Sequence, residues 1–300
     1  MSMQGELMAA TQRVSSPERE IAVLHGKELA YVYYPGVGTP LVMLHGVGSS
    51  ATGWDEPARL LSERGVPVLS IDLPGHGESA KGPGDYSLGS LASAVRDLLD
   101  HLGIDRATIV GHSLGGGVAL QFLYQYPQYV AGLVLVSSGG LGRDANLILR
   151  LFSVPGAGVV LGLGLNQRTM SLLETFRGQV RRWGRIPEFF PDRVMDKIDR
   201  LSDPEDRHTF LATLRSVVDH SGQRVSALEK LHLSNSVPVL IIWGRKDSII
   251  PLSHGERAHE MLESSTLVVF DDAGHEPHRK DPERFAAVLA DWLDDRRLRG

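Results

Sequence analysis

Residues 107–116 read Ala107-Thr108-Ile109-Val110-Gly111-His112-Ser113-Leu114-Gly115-Gly116, and their reading decides the fold. The apolar run Ala107 to Val110 predicts a strand, and the stretch Gly116 to Tyr126 predicts a helix. Between them lies Gly-x-Ser-x-Gly. A sharp strand-to-helix turn of this kind lifts a serine hydroxyl to the end of a sheet. The glycines stand where a side chain would clash with a neighbouring strand or helix. Ser113 is therefore the candidate nucleophile. The alternative is a plain turn whose serine only caps the helix.

A serine is a poor nucleophile at neutral pH, so it needs a base, and the base needs an orienting acid. In this arrangement the partners follow in the chain, acid first and histidine second. The run Val237 to Trp243 predicts a buried strand and ends in Gly244-Arg245-Lys246-Asp247. The run Ser265 to Phe270 predicts the next strand, and Asp271-Asp272-Ala273-Gly274-His275 follows it. Asp247 and His275 thus both stand just beyond strand C-termini, the edge of an open α/β sheet where ligand sites form. The expected roles are Ser113 as nucleophile, His275 as general base and then acid, and Asp247 as the group that holds the imidazole tautomer. Asp271 and Asp272 are rivals for the acid, although they share a short segment with His275. Asp247 could instead cap a helix that starts near Pro251.

Acyl transfer also needs donors for the developing oxyanion. One is the backbone N–H of Leu114, after the nucleophile. The strand Leu41 to Leu44 is followed by His45-Gly46-Val47-Gly48-Ser49-Ser50, whose glycines let the backbone turn inward. The N–H of Val47 is the expected second donor. His45 and Gly46 support the loop, His45 through hydrogen bonds rather than proton transfer. A phosphate cradle at Gly46-Val47-Gly48 would want a longer Gly-rich run with a Lys or a further Gly, and neither is present.

Four segments carry a family resemblance: Leu44-His45-Gly46-Val47-Gly48, Asp72-Leu73-Pro74-Gly75-His76-Gly77-Glu78-Ser79, Gly111-His112-Ser113-Leu114-Gly115-Gly116, and Trp243-Gly244-Arg245-Lys246-Asp247 with Gly274-His275. The chain resembles the α/β-hydrolase superfamily in its capped bacterial branch. The resemblance implies an α/β fold with a mostly parallel central sheet, flanking helices and an inserted helical cap. It also implies a serine hydrolase, and a carboxylic ester is the broadest substrate class. Relatives that dehalogenate haloalkanes or open epoxides use an aspartate where this chain has Ser113. The stretch Leu133 to Gly142 is similar to meta-cleavage product hydrolases, which split carbon–carbon bonds. That family tends to have Asn before the nucleophile and Trp after the catalytic histidine. His112 and Glu276 occupy those positions here. A carbon–carbon bond hydrolase of a dienoate is the alternative, and a non-catalytic ligand binder of the same fold is a third.

Composition agrees with a globular α/β protein. The chain has 300 residues, with 42% hydrophobic and 22% charged residues. The formal net charge of -5 gives no broad basic surface for nucleic acid. There is no cysteine, hence no disulfide and no thiolate metal site. No metal or organic cofactor is implied, and the expected partner is a small-molecule substrate, with a homo-oligomer open. The polar stretch Met1 to Glu20 lacks the apolar core of a signal peptide, so the cytoplasm is the expected location.

Residues 1–18 are expected to be a flexible extension, 19–140 and 227–298 the α/β core, and 141–226 the helical cap. Strands near Ile21–His25 and Leu29–Tyr34 would form a hairpin. Strands Leu41–Leu44, Val66–Asp72, Ala107–Val110 and Gly132–Val136 alternate with helices near Trp54–Arg64 and Leu88–Leu102 and with the helix after Ser113. Such alternation indicates βαβ units. The loop Asp72 to Glu78 is expected to hold its neighbours structurally, His76 included. From Leu141 to Ser226 no strand pattern is visible. Within it, Leu147 to Leu165 is apolar but interrupted by Arg150, Pro155 and glycines, a poor membrane span. It is expected either to pack as cap core or to line a substrate tunnel or lid. The basic segment Arg177 to Arg185 is either a solvated face or the source of one inward arginine for a substrate carboxylate.

Overall fold

The computed structural model describes residues 17–164, 201–296 and 298. The expected extension and the segment Arg177 to Arg185 thus lie wholly or largely outside the described residues. An eight-stranded sheet is built from β1 (Arg19–Leu24), β2 (Lys27–Tyr34), β3 (Leu41–Leu44), β4 (Val68–Ile71), β5 (Ala107–His112), β6 (Val130–Val136), β9 (Val239–Gly244) and β10 (Ser265–Phe270). The spatial order is β1-β2-β4-β3-β5-β6-β9-β10. Both pairings of β2 are antiparallel, and those from β4 through to β10 are parallel. The fold class expected from sequence is thus the one observed.

Strands β3 to β6 and β9 are buried at every position, as strands covered on both faces must be. Alternation survives inside these apolar runs. Val42, Ile109, Leu133 and Ile241 face one core, while Met43, Val110, Val134 and Ile242 face the other. Helices α2 (Leu88–Leu102) and α3 (Leu114–Gln125) cover the first face. Helices α1 (Asp55–Ser62) and α9 (Pro282–Asp295) cover the second. Helix α2 begins at Ser87, whose side chain accepts from Ser90 N–H, and ends at Gly103 with φ of 68°.

Chain direction across the sheet reverses beside β3. Strand β4 lies on one side of it and β5 on the other. Loops at the C-terminal ends of β3 and β5 therefore diverge and leave a crevice, the position where open α/β sheets hold ligands.

The chain between β6 and β9 holds α4 (Leu147–Ser153), α5 (Ala157–Gly164), α6 (Pro204–Val217), β7 (Val218–Asp219) and β8 (Gly222–Gln223). The hairpin β7–β8 corrects the all-helical expectation for this insert. Two residues per strand are too few to show a period. Helices α4 and α5 correct the cap-core expectation as well. Leu149 and Phe152 face a cavity, but Val159 and Leu163 are 67% and 74% exposed. Among the described residues no single helix is long and apolar enough to cross a membrane, and α4 and α5 are bent by 105° at their break. After β9 come α7 (Ser253–Met261), β10 and the short α8 (Pro277–Lys280).

Candidate active site

Ser113 sits between β5 and α3 with φ of 53° and ψ of -113°. A non-glycine residue in that region is strained and persists only where its surroundings hold it. They do so here. Ser113 N–H donates to the Val136 carbonyl at 3.1 Å, and the Ser113 carbonyl accepts from Gly116 N–H at 3.0 Å and Gly139 N–H at 2.8 Å. The flanking glycines permit the close approach. A Cβ on Gly111 would run into the Gly115 carbonyl, and one on Gly115 into the Leu44 carbonyl.

His275 and Asp247 meet as a pair. Nδ1–H of His275 donates to Asp247 Oδ2 at 2.8 Å. The other carboxylate oxygen accepts from Ile249 N–H at 2.8 Å and Ile250 N–H at 3.0 Å. The Asp247 side chain is fully buried. Burial alone pushes such a carboxyl up, but the bond and charge of His275 and the two backbone donors hold it below its ordinary value. The rivals point elsewhere: Asp271 pairs with Arg245 at 2.7 Å and Asp272 with Lys246 at 2.8 Å, both exposed.

Ser113, His275, Val47 and Gly46 line one cavity of about 270 Å³. Ser113, Val47 and Leu114 also line a second, mainly apolar cavity of about 50 Å³. Leu114 is the first residue of α3, so its N–H belongs to the initial turn and has no carbonyl partner within the helix. His45 holds the loop before Val47. Its Nε2 accepts from Leu73 N–H at 3.0 Å, which places the proton on Nδ1, and Nδ1–H donates to the Gly46 carbonyl at 2.8 Å. Asp72 ties the same region together, accepting from Ala51 N–H at 2.6 Å and from Arg19 at 2.8 Å.

One contact was not read from sequence. His112 donates from Nε2 to the backbone carbonyl of His275 at 2.8 Å, a contact across 163 positions. The insert supplies part of the cavity wall, through Leu149 and Phe152 of the segment expected to pack as core or line a tunnel, and through Asp206 and Phe210. His76, expected only as a loop holder, also lines that cavity. Its Nδ1–H donates to the Pro74 carbonyl at 3.1 Å, while Nε2 is buried without a partner. Burial, with His45 adjacent, pushes the His76 pKa down to about 3. Among the described residues no group of three or more His, Asp or Glu could hold a metal ion.

Residues 39–282 match the family model described as alpha/beta hydrolase fold, and the chain belongs to that family. An uncharacterized protein of Mycobacterium tuberculosis is 38% identical over 284 residues, covering 94% of this chain and 82% of its own. The 2-hydroxy-6-oxo-6-phenylhexa-2,4-dienoate hydrolase of Comamonas testosteroni is 28% identical over 277 residues, covering 87% of this chain and 90% of its own. The structure of a thermophilic esterase from Thermogutta terrifontis matches with a TM-score of 0.70 at 25% identity, covering 93% of this chain and 99% of that one. Fold and relatives together support hydrolase activity.

Proposed function

We propose that this protein is a serine hydrolase acting on carboxylic esters with a short apolar acyl group. The observation that carries the reading is that Ser113, held at φ of 53°, and His275, whose Nδ1–H is bonded to Asp247, line one cavity. Ser113 Oγ attacks the ester carbonyl, and its proton passes to His275 Nε2. The N–H groups of Val47 and Leu114 take the oxyanion. The carbon–oxygen bond to the alcohol then breaks, and the alcohol leaves with the proton from His275. Water, deprotonated by His275, attacks the acyl-enzyme and releases the carboxylic acid and free Ser113. The buried Asp247 carboxylate keeps the His275 proton on Nδ1 and stabilises the imidazolium that forms.

The two cavities divide the substrate. The leaving alcohol must lie beside His275, which lines the larger cavity and not the smaller. The acyl chain then lies in the smaller cavity, against Leu88, Gly117, Leu214 and Ile250. Its volume of about 50 Å³ suits an acyl chain of few carbons. The insert, roughly residues 141–226, acts as the cap that keeps water from the acyl-enzyme.

The dienoate hydrolase among the relatives favours carbon–carbon cleavage as a second reading. Against it, the charged residues lining the larger cavity, among the described residues, are the acids Asp206 and Glu276. Asp206 is ion-paired with Lys81 and Glu276 lies 3.7 Å from Arg279, so neither brings a positive group to the cavity for an anionic substrate.

Hydrolysis of p-nitrophenyl esters from acetate to laurate, beside a Ser113→Ala control, tests the proposal. Turnover that depends on Ser113 and falls with chain length supports it. Ser113→Ala protein with undiminished turnover overturns it.

A further inference from the structure

A third cavity, of about 780 Å³, opens at the base of the insert, away from His275. Its wall is formed where the chain leaves the sheet domain, where it returns, and by the N-terminal half of α7. Arg143 comes from the first of these segments, Arg224 from the second and Arg257 from the third. Three separate segments thus each bring an arginine to one space. Arg224 is held by a bond from Nη1 to the Arg215 carbonyl at 2.9 Å. Arg143 and Arg257 have no ion-pair partner among the described residues. The N-terminal turn of α7 adds partial positive charge at the same wall.

The opposing charges are Asp144 and Glu229. Asp144 is engaged, because its Oδ2 accepts from His254 Nε2–H at 3.0 Å. His254 is only 5% exposed, lines the cavity, and has a buried Nδ1 without a partner.

We propose that this cavity binds an organic phosphate in the size class of a nucleotide. Guanidinium groups recognise phosphate oxygens through paired donors. A lone phosphate would fill little of the space, which falls in the range of organic-ligand sites. Leu228 supplies apolar wall for the organic part. Gln223 lines both this cavity and the small one beside Ser113, and it clamps the insert's two connections. Its Oε1 accepts from Gly140 N–H at 2.7 Å and its Nε2 donates to the Asp144 carbonyl at 2.9 Å.

Isothermal titration of the full-length protein with ADP, pyrophosphate and citrate is the test. ADP is expected to bind tightest, pyrophosphate more weakly for want of an organic part, and citrate weakest. The double variant Arg143→Gln with Arg257→Gln is expected to weaken ADP at least about tenfold. Glu229→Gln, which removes an opposing charge, is expected to tighten it a few-fold, a gain that misfolding could not produce. No ADP binding at about 1 mM, a limit of only about 4 kcal/mol, overturns the proposal. So does ADP affinity unchanged in both variants, or citrate binding more tightly than ADP.

Discussion

The imidazole of His112 donates from Nε2 to the backbone carbonyl of His275 at 2.8 Å, joining the strand that ends before Ser113 to the loop that carries His275. The rings of the two histidines lie 4.8 Å apart, and His278 packs on His112 at 4.7 Å. His112 is buried, so the bond is made in a region of weak screening. His112 is therefore a positioning residue for His275. His112→Ala is expected to lower kcat about 10- to 100-fold, the scale of a misplacement near 1 Å, with a much smaller change in KM. His112→Asn, whose amide also donates, should recover part of it. Steady-state kinetics on p-nitrophenyl acetate read both variants, and an equal rise in KM would point to lost substrate binding instead.

Asp247→Asn separates orientation from shape. The amide oxygen still accepts from Ile249 and Ile250 N–H, so the turn should stand. The amide cannot stabilise the imidazolium at His275, and it presents a donor where Nδ1–H needs an acceptor. A fall in kcat of about 10⁴ is expected, with little change in thermal midpoint. Asp272→Asn, on an exposed surface pair, should leave kcat within about twofold.

If the smaller cavity holds the acyl chain as proposed, its volume makes acyl selectivity tunable. A Cβ at Gly117 would meet Leu88 at 3.4 Å, an ordinary contact, so alanine is accommodated. It also removes volume from that cavity, which Gly117 lines. Gly117→Ala is expected to lower the hexanoate-to-acetate ratio of kcat/KM about tenfold, in keeping with what a methylene or two is worth in a pocket. An unchanged ratio would place the acyl chain elsewhere.

Gly115→Ala should behave differently from Gly117→Ala although both lie in α3. The new Cβ would collide with the backbone of Leu44, which has no freedom to retreat inside the sheet. Overpacking of this kind costs about 1–3 kcal/mol, more where backbone must move. Urea unfolding is expected to show a midpoint lowered for Gly115→Ala and little changed for Gly117→Ala.

His76 makes stability depend on pH. Its folded pKa lies near 3, below the ordinary 6.5, because it is buried. The unfolded chain therefore binds a proton that the folded protein refuses. The associated stability is fully present above pH 6.5 and is lost progressively as pH falls toward 3. Between pH 7 and 5 the loss from this group is about 2 kcal/mol. His76→Phe, of similar volume, removes the titration, so its unfolding free energy should fall less over that interval. Parallel loss in both proteins would show that other groups set the acid limit.

Sequence alone determined the strands of the main sheet and their order along the chain, but not the hairpin β7–β8 of the insert. The burial of β3 to β6, the helix from Leu88 to Leu102, the glycine-flanked turn at Ser113 and the sequence Ser113, Asp247, His275 are all local matters. Side-chain period, turn chemistry and distance from the preceding strand express them within a dozen residues. Tertiary structure alone decided which acid reaches His275, because Asp247, Asp271 and Asp272 all follow strand ends and only packing of the loops separates them. The bond from His112 to His275 likewise depends on β5, β6, β9 and β10 lying in one order across the sheet. So do the division of the cavity into two unequal parts and the meeting of three arginines at the base of the insert. Spacing along a chain carries no record of such approaches, since loop closure fixes them only after the sheet has assembled.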